Sequence, residues 1–137
     1  MMVSTRGRYA LRIMLDLAMQ ENGTYISLKS ISERQKISMK YMEAIVAMLN
    51  RAGLLKSQRG KEGGYRLART PGEYPVSEIL KLTEGTLAPV ACLEAGCNDS
   101  CELSANCLTR PMWQKLDGII DDYLSGVTLE DLLAGRS

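Results

Sequence analysis

The sequence predicts a mainly α-helical chain with one small β-hairpin and a long helix near its C-terminal end. Three observations predict this fold class. Apolar residues recur with helical spacing before residue 53, a glycine-rich basic turn separates two short apolar segments, and residues 110–126 carry apolar side chains on two helical stripes. A chain of 137 residues is long enough to bury an independent core.

The first two helices are predicted near the N-terminal end. Over about residues 6–20, apolar side chains fall on one helical face, formed by Ala10, Ile13, Met14, Leu17 and Ala18. Ser27 is a favoured N-cap residue type and precedes a second short helix, LKSISERQ.

A third helix follows the short segment QKIS. Ser38 can cap the helix MKYMEAIVAMLNRA, and Gly53 stands where a left-handed C-terminal residue is expected. Its inward-facing residues are predicted to be Met42, Ile45, Leu49 and Ala52. Three helices with a short turn before the last are typical of a helix-turn-helix.

A basic β-hairpin is predicted directly after these helices. Residues 54–58 form the first strand, RGKEGG the tip, and Tyr65 and Leu67, alternating with Arg66, the return strand. Such a hairpin is the wing of a winged helix-turn-helix. Four cations lie on or beside it and could reach phosphates or a minor groove: Arg59, Lys61, Arg66 and Arg69.

The C-terminal part is predicted to hold three more helices. VSEILKLTE closes at Gly85, and VTLEDLL begins with Thr128 and Asp131 spaced as a capping box. The longer helix between them has two apolar stripes, Met112, Leu116, Ile119 and Tyr123 on one and Trp113, Ile120 and Leu124 on the other. One stripe can pack on its own domain, and the free one favours a homodimer whose two-fold symmetry suits a palindromic DNA operator.

The charge distribution favours nucleic acid as a partner. Residues 1–70 hold thirteen basic and five acidic side chains, net +8, whereas residues 71–137 hold four and eleven, net −7. A basic ordered segment is a candidate electrostatic footprint for double-stranded DNA. The apolar runs are too short to span a bilayer and the N-terminal segment does not resemble a secretory signal, so we expect a cytoplasmic protein without membrane contact.

An enzyme is not expected. The chain has no histidine, which excludes an imidazole base or ligand. It also lacks a phosphate loop, a dinucleotide fingerprint and an acid–base pair in a credible setting.

Nine residues are predicted to contact DNA. Recognition helices read base edges from their N-terminal turns, which here contain Ser38, Met39, Lys40, Tyr41 and Glu43. Glu43 can accept a hydrogen bond from cytosine N4, and Tyr41 either touches a phosphate or packs in the core. The remaining contacts, mainly to the backbone, are assigned to Arg51, Arg59, Gly60 and Lys61.

All four cysteines lie within residues 92–107. In a reducing cytoplasm such a cluster indicates metal ligands, cluster ligands or redox sensors more than disulfides. The spacings of four, three and five intervening residues lack the short CxxC of zinc ribbons, which disfavours zinc. The expected cofactor is an iron–sulfur cluster of the two-iron or four-iron type, with zinc or no metal as the alternatives. The neighbouring Glu94, Asp99 and Glu102 predict no positive field to stabilise thiolates.

Several segments together resemble a known family: STRGRYALRIMLDLA, ISERQKIS with YMEAI, RGKEGGYRLAR, EILKLTEGTL, CLTRPMW and VTLEDLL. They are similar to the bacterial winged helix-turn-helix regulators that include IscR, NsrR and CymR. The resemblance covers nearly the whole chain and implies a dimeric transcription factor. It implies the cluster ligands Cys92, Cys101 and Cys107, with Cys97 as fourth ligand or as the alternative to Cys101. Where IscR-like members carry a histidine ligand, this chain has Arg110.

The expected organisation has four parts. Residues 1–72 form the DNA-binding domain, whose first helix also packs in the dimer, and 73–90 a linking helix. Residues 91–109 form the cluster-binding loop, and 110–137 the dimerisation and C-terminal helices. The expected function is a homodimeric repressor whose operator affinity depends on the cluster. The alternatives are a cluster-free regulator controlled by a protein partner or thiol oxidation, and a zinc-stabilised interaction module.

Overall fold

The computed structural model describes residues 3–20, 23–93 and 107–137. Its helices are α1 (Thr5–Met19), α2 (Leu28–Gln35), α3 (Met39–Arg51), α4 (Val76–Glu84), α5 (Arg110–Gly126) and α6 (Leu129–Ala134). Strands β1 (Leu55–Gln58) and β2 (Gly64–Leu67) lie between α3 and α4, and short 3₁₀ turns occupy Pro71–Glu73 and Ala91–Leu93. The predicted fold class, mainly α with a hairpin wing behind a helix-turn-helix, is confirmed.

Serine side chains cap the first three helices. Ser4, Ser27 and Ser38 each accept a hydrogen bond from the backbone N–H three residues later, at 3.1, 3.2 and 3.3 Å. The predicted caps Ser27 and Ser38 are thereby confirmed. Lys36 ends α2 in the left-handed region, with φ 56°, and so turns the chain sharply toward α3.

The main core lies between α1, α2, α3 and the base of the hairpin. The five predicted residues of α1 are buried, as are Met42, Ile45 and Leu49 of α3. Ala52, which was predicted to face inward, is exposed. It follows the last helical residue as C-cap, so the helical spacing no longer applies to it, and Val46 is the additional buried residue of α3.

A buried carboxylate ties α1 to α2. Asp16 has no exposed surface, and its oxygens accept hydrogen bonds from Arg34 Nη2 at 2.7 Å, Arg34 Nε at 3.0 Å and Gln35 Nε2 at 2.9 Å. A buried charge is tolerated only when it is paired and hydrogen-bonded. These bonds therefore couple the position of α2 to that of α1.

The wing is attached to the helical core by a third segment. β1 and β2 pair antiparallel, with Leu55 opposite Leu67. Ile26, just before α2, forms an isolated bridge with Tyr65 in which both N–H···O distances are 2.8 Å. The segment between α1 and α2 therefore pairs with β2 at one residue and ties the wing to the helices.

Tyr74 closes the base of the wing. Its side chain is completely buried, and its hydroxyl donates to the Leu54 carbonyl at 2.6 Å. The same oxygen accepts from the backbone N–H groups of Ala68 and Arg69, both at 2.9 Å. One hydroxyl thus joins the chain before β1 to the chain after β2.

Replacing Tyr74 with phenylalanine should destabilise the protein by about 1–3 kcal/mol, because the Arg69 N–H loses its hydrogen-bond acceptor, and the Leu54 carbonyl and the Ala68 N–H keep only their 3.3 Å bond to each other. The free energy of unfolding, measured by urea denaturation, checks this value. Ser57→Ala, which removes an exposed hydroxyl from β1, is the control and should change stability by less than about 0.5 kcal/mol. Equal stability of the two variants would contradict the role given to Tyr74.

The C-terminal helices pack beside this domain. Val76, Leu80, Leu87 and Val127 form a second apolar cluster, and Ile120 and Leu124 of α5 lie against it. Val76 N–H donates to the Val127 carbonyl at 2.8 Å. The predicted capping box is confirmed, since Thr128 and Asp131 exchange two hydrogen bonds at 3.0 and 3.1 Å.

The two apolar stripes of α5 have different environments. Trp113, Ile120 and Leu124 are half-buried, as predicted for a stripe that packs on its own domain. The other stripe is exposed and consists of Met112, Leu116, Ile119 and Tyr123, with exposed fractions of 54, 37, 56 and 57%. Among the described residues, no helix is both long and apolar enough to cross a membrane.

Candidate nucleic-acid interface and cysteine site

The N-terminal half of α3 presents the predicted base-reading residues to solvent. Ser38, Met39, Lys40, Tyr41 and Glu43 are all exposed. They alternate with the buried Met42 and Ile45, which pack in the core and set the rotation of the helix. The Ser38 hydroxyl also accepts from Tyr41 N–H, so this residue caps the helix while its hydroxyl remains at the surface.

The predicted phosphate contacts are also exposed. Arg51 ends α3, and Arg59, Gly60 and Lys61 form the tip of the wing. Within the described part of the chain, none of the basic residues Lys40, Arg51, Arg59 and Lys61 takes part in a salt bridge. None of the described acidic residues neutralises these charges through a salt bridge, which suits contacts with phosphates.

Two further wing cations are engaged within the protein. Arg69 donates to Glu78 with both guanidinium nitrogens, at 2.8 and 2.9 Å, and its guanidinium lies 4.6 Å from the Tyr74 ring. The pairing lowers the pKa of Glu78, because the bonds from Arg69 favour the carboxylate. Arg66 donates to the Gly23 carbonyl at 3.1 Å and stacks 4.9 Å from the Tyr25 ring. Both arginines thus anchor the wing to the rest of the domain. The sequence pattern had indicated only that they could reach DNA.

The two described cysteines border the loop between α4 and α5. Cys92 lies in the 3₁₀ turn Ala91–Leu93, and Cys107 stands three residues before the first residue of α5. Both thiols are free and half-buried. Cys97 and Cys101 lie outside the described residues, and the residues that are described contain no group of three or more metal-binding side chains.

The start of α5 favours the thiolate form of Cys107. The Thr109 hydroxyl lies 3.3 Å from Sγ and, with the backbone N–H groups of Thr109 and Arg110, lowers the pKa of this thiol. The Arg110 charge lowers the pKa further. Glu94, Asp99 and Glu102, on which the expectation of no positive field rested, lie outside the described residues, whereas the Arg110 charge does favour the thiolate at Cys107.

Replacing Thr109 with valine should therefore raise the pKa of Cys107. At pH 7 a smaller fraction is then thiolate, so alkylation by iodoacetamide should be slower and the midpoint of its pH–rate profile should move to higher pH. Mass spectrometry of the Cys107 peptide in metal-free protein measures the rate. Cys92 in the same sample is the internal control, and an unchanged Cys107 midpoint would contradict the assigned cause.

Comparison with known proteins identifies the family. Residues 3–135 match the family model Rrf2, described as an iron-dependent transcriptional regulator. The chain is 38% identical over 137 residues to protein rrf2 of Nitratidesulfovibrio vulgaris, covering 100% of this chain and 90% of that protein. The structure of CymR, the global cysteine regulator of B. subtilis, is 34% identical with a TM-score of 0.82 and covers 100% and 99% of the two chains.

A second solved structure, T. potens IscR, is 36% identical, with a TM-score of 0.78 and coverage of 100% and 89%. The matched family consists of transcriptional regulators, not enzymes, and such regulators bind DNA. The chain, matched over almost its whole length, belongs to the Rrf2 family of transcriptional regulators.

Proposed function

We propose that this regulator acts as a homodimer on a palindromic operator and that an iron–sulfur cluster in the cysteine loop controls its affinity for DNA. Control of DNA affinity by the cluster is supported mainly by the position of Cys107, which lies beside the first turn of α5 and whose pKa is lowered there. A group bound there would be linked directly to the helix that bears the exposed apolar stripe.

The DNA contacts are assigned to two surfaces. The N-terminal turns of α3 enter the major groove, where Glu43 selects cytosine by accepting from N4. The wing tip, with Arg59, Gly60 and Lys61, follows the backbone or the minor groove. In this proposal residues 1–72 bind DNA, 73–90 link, 91–109 hold the cluster and 110–137 form the dimer.

Lys61→Ala should test the wing-tip assignment. Losing one phosphate contact should weaken binding to all duplexes alike. A plot of the logarithm of the association constant against the logarithm of salt concentration should become less steep by about one. Fluorescence anisotropy over a salt series measures both. Lys115→Ala, which removes an exposed lysine from the acidic half of the chain, is the control and should leave the slope unchanged.

The donor set of the loop suits an iron–sulfur cluster. Cysteine thiolates are the usual ligands, and they must be deprotonated to bind. The bonds at Cys107 favour that form. Cys92, Cys101 and Cys107 would hold the cluster, and Cys97 would be the fourth ligand or replace Cys101, since the arginine at position 110 cannot coordinate iron.

The chain can couple such a ligand to the dimer helix through packing already present. α4 ends shortly before Cys92 and contacts α5 through the Lys81–Asp121 ion pair at 2.6 Å and the Ser125–Ser77 hydrogen bond at 3.0 Å. A group held by Cys92 and Cys107 together would bias the relative position of α4 and α5, and thereby the spacing of the two recognition helices. A coupling of about 1–3 kcal/mol is typical of such linkage. When bound, the cluster supplies a redox-active group that oxygen, nitric oxide or iron shortage can alter.

The test is anaerobic purification followed by a visible spectrum and analysis of iron, sulfide and zinc. A coloured protein with stoichiometric iron and sulfide supports the proposal, and Cys92→Ser should bleach it while the far-ultraviolet circular dichroism stays unchanged. Duplexes selected from a random pool then report whether loaded and empty protein differ in affinity. Equal affinities would show that the cluster does not control DNA binding. A colourless protein with tightly bound zinc would instead support the zinc-stabilised module.

A second candidate is a cluster-free regulator of the same fold that responds to thiol oxidation. The lowering of the Cys107 pKa by Thr109 and Arg110 favours it, because the thiolate is the form that oxidants attack. Colourless, metal-free protein whose DNA affinity changes with peroxide and recovers with dithiothreitol would support this candidate.

A further inference from the structure

An aromatic contact joins α1 to the start of the recognition helix. The rings of Tyr9 and Tyr41 lie edge to face, with centroids 5.5 Å apart and an interplanar angle of 77°. The guanidinium carbon of Arg12 also lies 5.1 Å from the Tyr9 centroid. The three side chains therefore form a series of contacts, here called the stack, that reaches from α1 to the third residue of α3.

The stack is anchored to the polar network of the helix-turn-helix. Arg12 Nε donates to Gln35 Oε1 at 3.2 Å, and Arg12 Nη2 donates to the Gln35 carbonyl. Gln35 Nε2 in turn donates to the buried Asp16 carboxylate at 2.9 Å. An exposed arginine that reaches the end of α2 in this way is held over the Tyr9 ring rather than free to rotate.

The outer end of the stack is exposed on the proposed DNA-binding surface. Tyr41 is 41% exposed, and its hydroxyl forms no hydrogen bond with any residue that the structure describes. A tyrosine hydroxyl on the first turn of a recognition helix is a suitable donor to a phosphate oxygen. Contact with the half-buried Tyr9 restricts the rotamers of Tyr41 before DNA arrives, which lowers the ordering cost of binding.

We propose that the Tyr41 hydroxyl contacts a DNA phosphate and that Tyr9 and Arg12 are positioning residues that hold the Tyr41 ring for this contact. The inference rests on the proposed function, in which α3 is the recognition helix. It adds two residues of α1 to the determinants of operator affinity, neither of which carries its effect by touching DNA.

A double-mutant cycle tests the proposal. The probe is a duplex selected from a random pool with wild-type protein, and affinity is measured by anisotropy. Tyr41→Phe should weaken binding about tenfold, the loss expected for one hydrogen bond to a charged acceptor. Tyr9→Leu should weaken it by a similar factor, and Tyr9→Leu combined with Tyr41→Phe should be no weaker than Tyr41→Phe alone.

Three readouts separate positioning from a general structural role. Tyr9→Phe keeps the ring and, unlike Tyr9→Leu, should bind the duplex with wild-type affinity. Arg12→Lys keeps the charge but loses the planar group, so it should weaken binding without changing the salt slope. Urea denaturation of each variant reports stability, and the affinity losses should persist at temperatures where every variant is fully folded.

The failure of this inference can be distinguished from failure of the proposed function. If wild-type protein binds no duplex in a salt-sensitive manner, the proposed function fails. If wild-type protein binds and Tyr9→Leu binds equally well, or if the two losses simply multiply, the positioning role is overturned while the recognition helix stands.

Discussion

Ile119→Glu is expected to turn the proposed homodimer into monomers and to weaken binding to a palindromic duplex by at least about 100-fold. Ile119 is 56% exposed in the middle of the free stripe of α5. At a two-fold interface the substitution occurs in both copies, so two buried isoleucines, each worth about 1.5–3 kcal/mol, are lost and two carboxylates are brought together. A loss of about 3 kcal/mol or more weakens dimer association by at least about 100-fold.

The effect on DNA follows from linkage of the two half-sites. In a dimer, binding of one recognition helix places the other at a high effective concentration, which typically adds a factor of 10²–10⁴ to the affinity. A monomer loses this factor but keeps its contacts to a single half-site. Binding to an isolated half-site duplex should therefore be nearly unchanged in the variant.

Light scattering after gel filtration measures the oligomeric state, and anisotropy measures both affinities. Gln114→Glu introduces the same charge at an exposed position outside the stripe and should remain dimeric. A variant carrying Ile119→Glu that is still dimeric would show that this stripe is not the interface.

Gly64→Ala is expected to destabilise the protein through the wing by about 3 kcal/mol or more. Gly64 has φ +154°, a conformation that side chains other than hydrogen rarely allow. A Cβ at this position would lie 2.1 Å from the Ile26 carbonyl oxygen and 2.4 Å from its carbon. Because these atoms are backbone, the bridge between Ile26 and Tyr65 must open to accommodate the methyl group.

Gly53→Ala is the matched control. Gly53 has φ +79°, but nothing lies within 4 Å of its added Cβ, so only the conformational cost of about 1 kcal/mol applies. Urea and thermal unfolding followed by circular dichroism give both losses. Equal losses in the two variants would mean that the contact with Ile26 does not determine the effect.

The elements of this fold follow from local patterns. Helical spacing, the serine caps at positions 27 and 38, the capping box at Thr128 and the glycine-rich wing each depend on residues within about four positions of one another. Such signals are readable in the sequence because the hydrogen bonds concerned are made within one turn. The exposed and half-buried stripes of α5 were predictable for the same reason.

For the candidate site, the sequence pattern predicted which residues are exposed, but it did not predict the contacts that hold them in place. Ser38, Lys40 and Lys61 are polar residues whose position on a helix start or hairpin tip predicts exposure. The roles of Arg66 and Arg69 as wing anchors depend on Tyr25 and Glu78, whose proximity no spacing rule indicates. The lowered pKa of Cys107 comes from Thr109 and Arg110, which are close in sequence, but it depends on how the start of α5 directs their N–H and hydroxyl groups toward the sulfur.

The order of helices and strands, their caps and the exposed faces of the helices are determined by the sequence alone, since these depend on contacts within a few positions along the chain. Only the tertiary structure decided that Asp16 is buried with Arg34, that the Tyr74 hydroxyl joins both ends of the wing, and that Tyr9 supports Tyr41. Those contacts join residues 5 to 32 positions apart, and a long-range contact depends on how whole elements pack rather than on any local period.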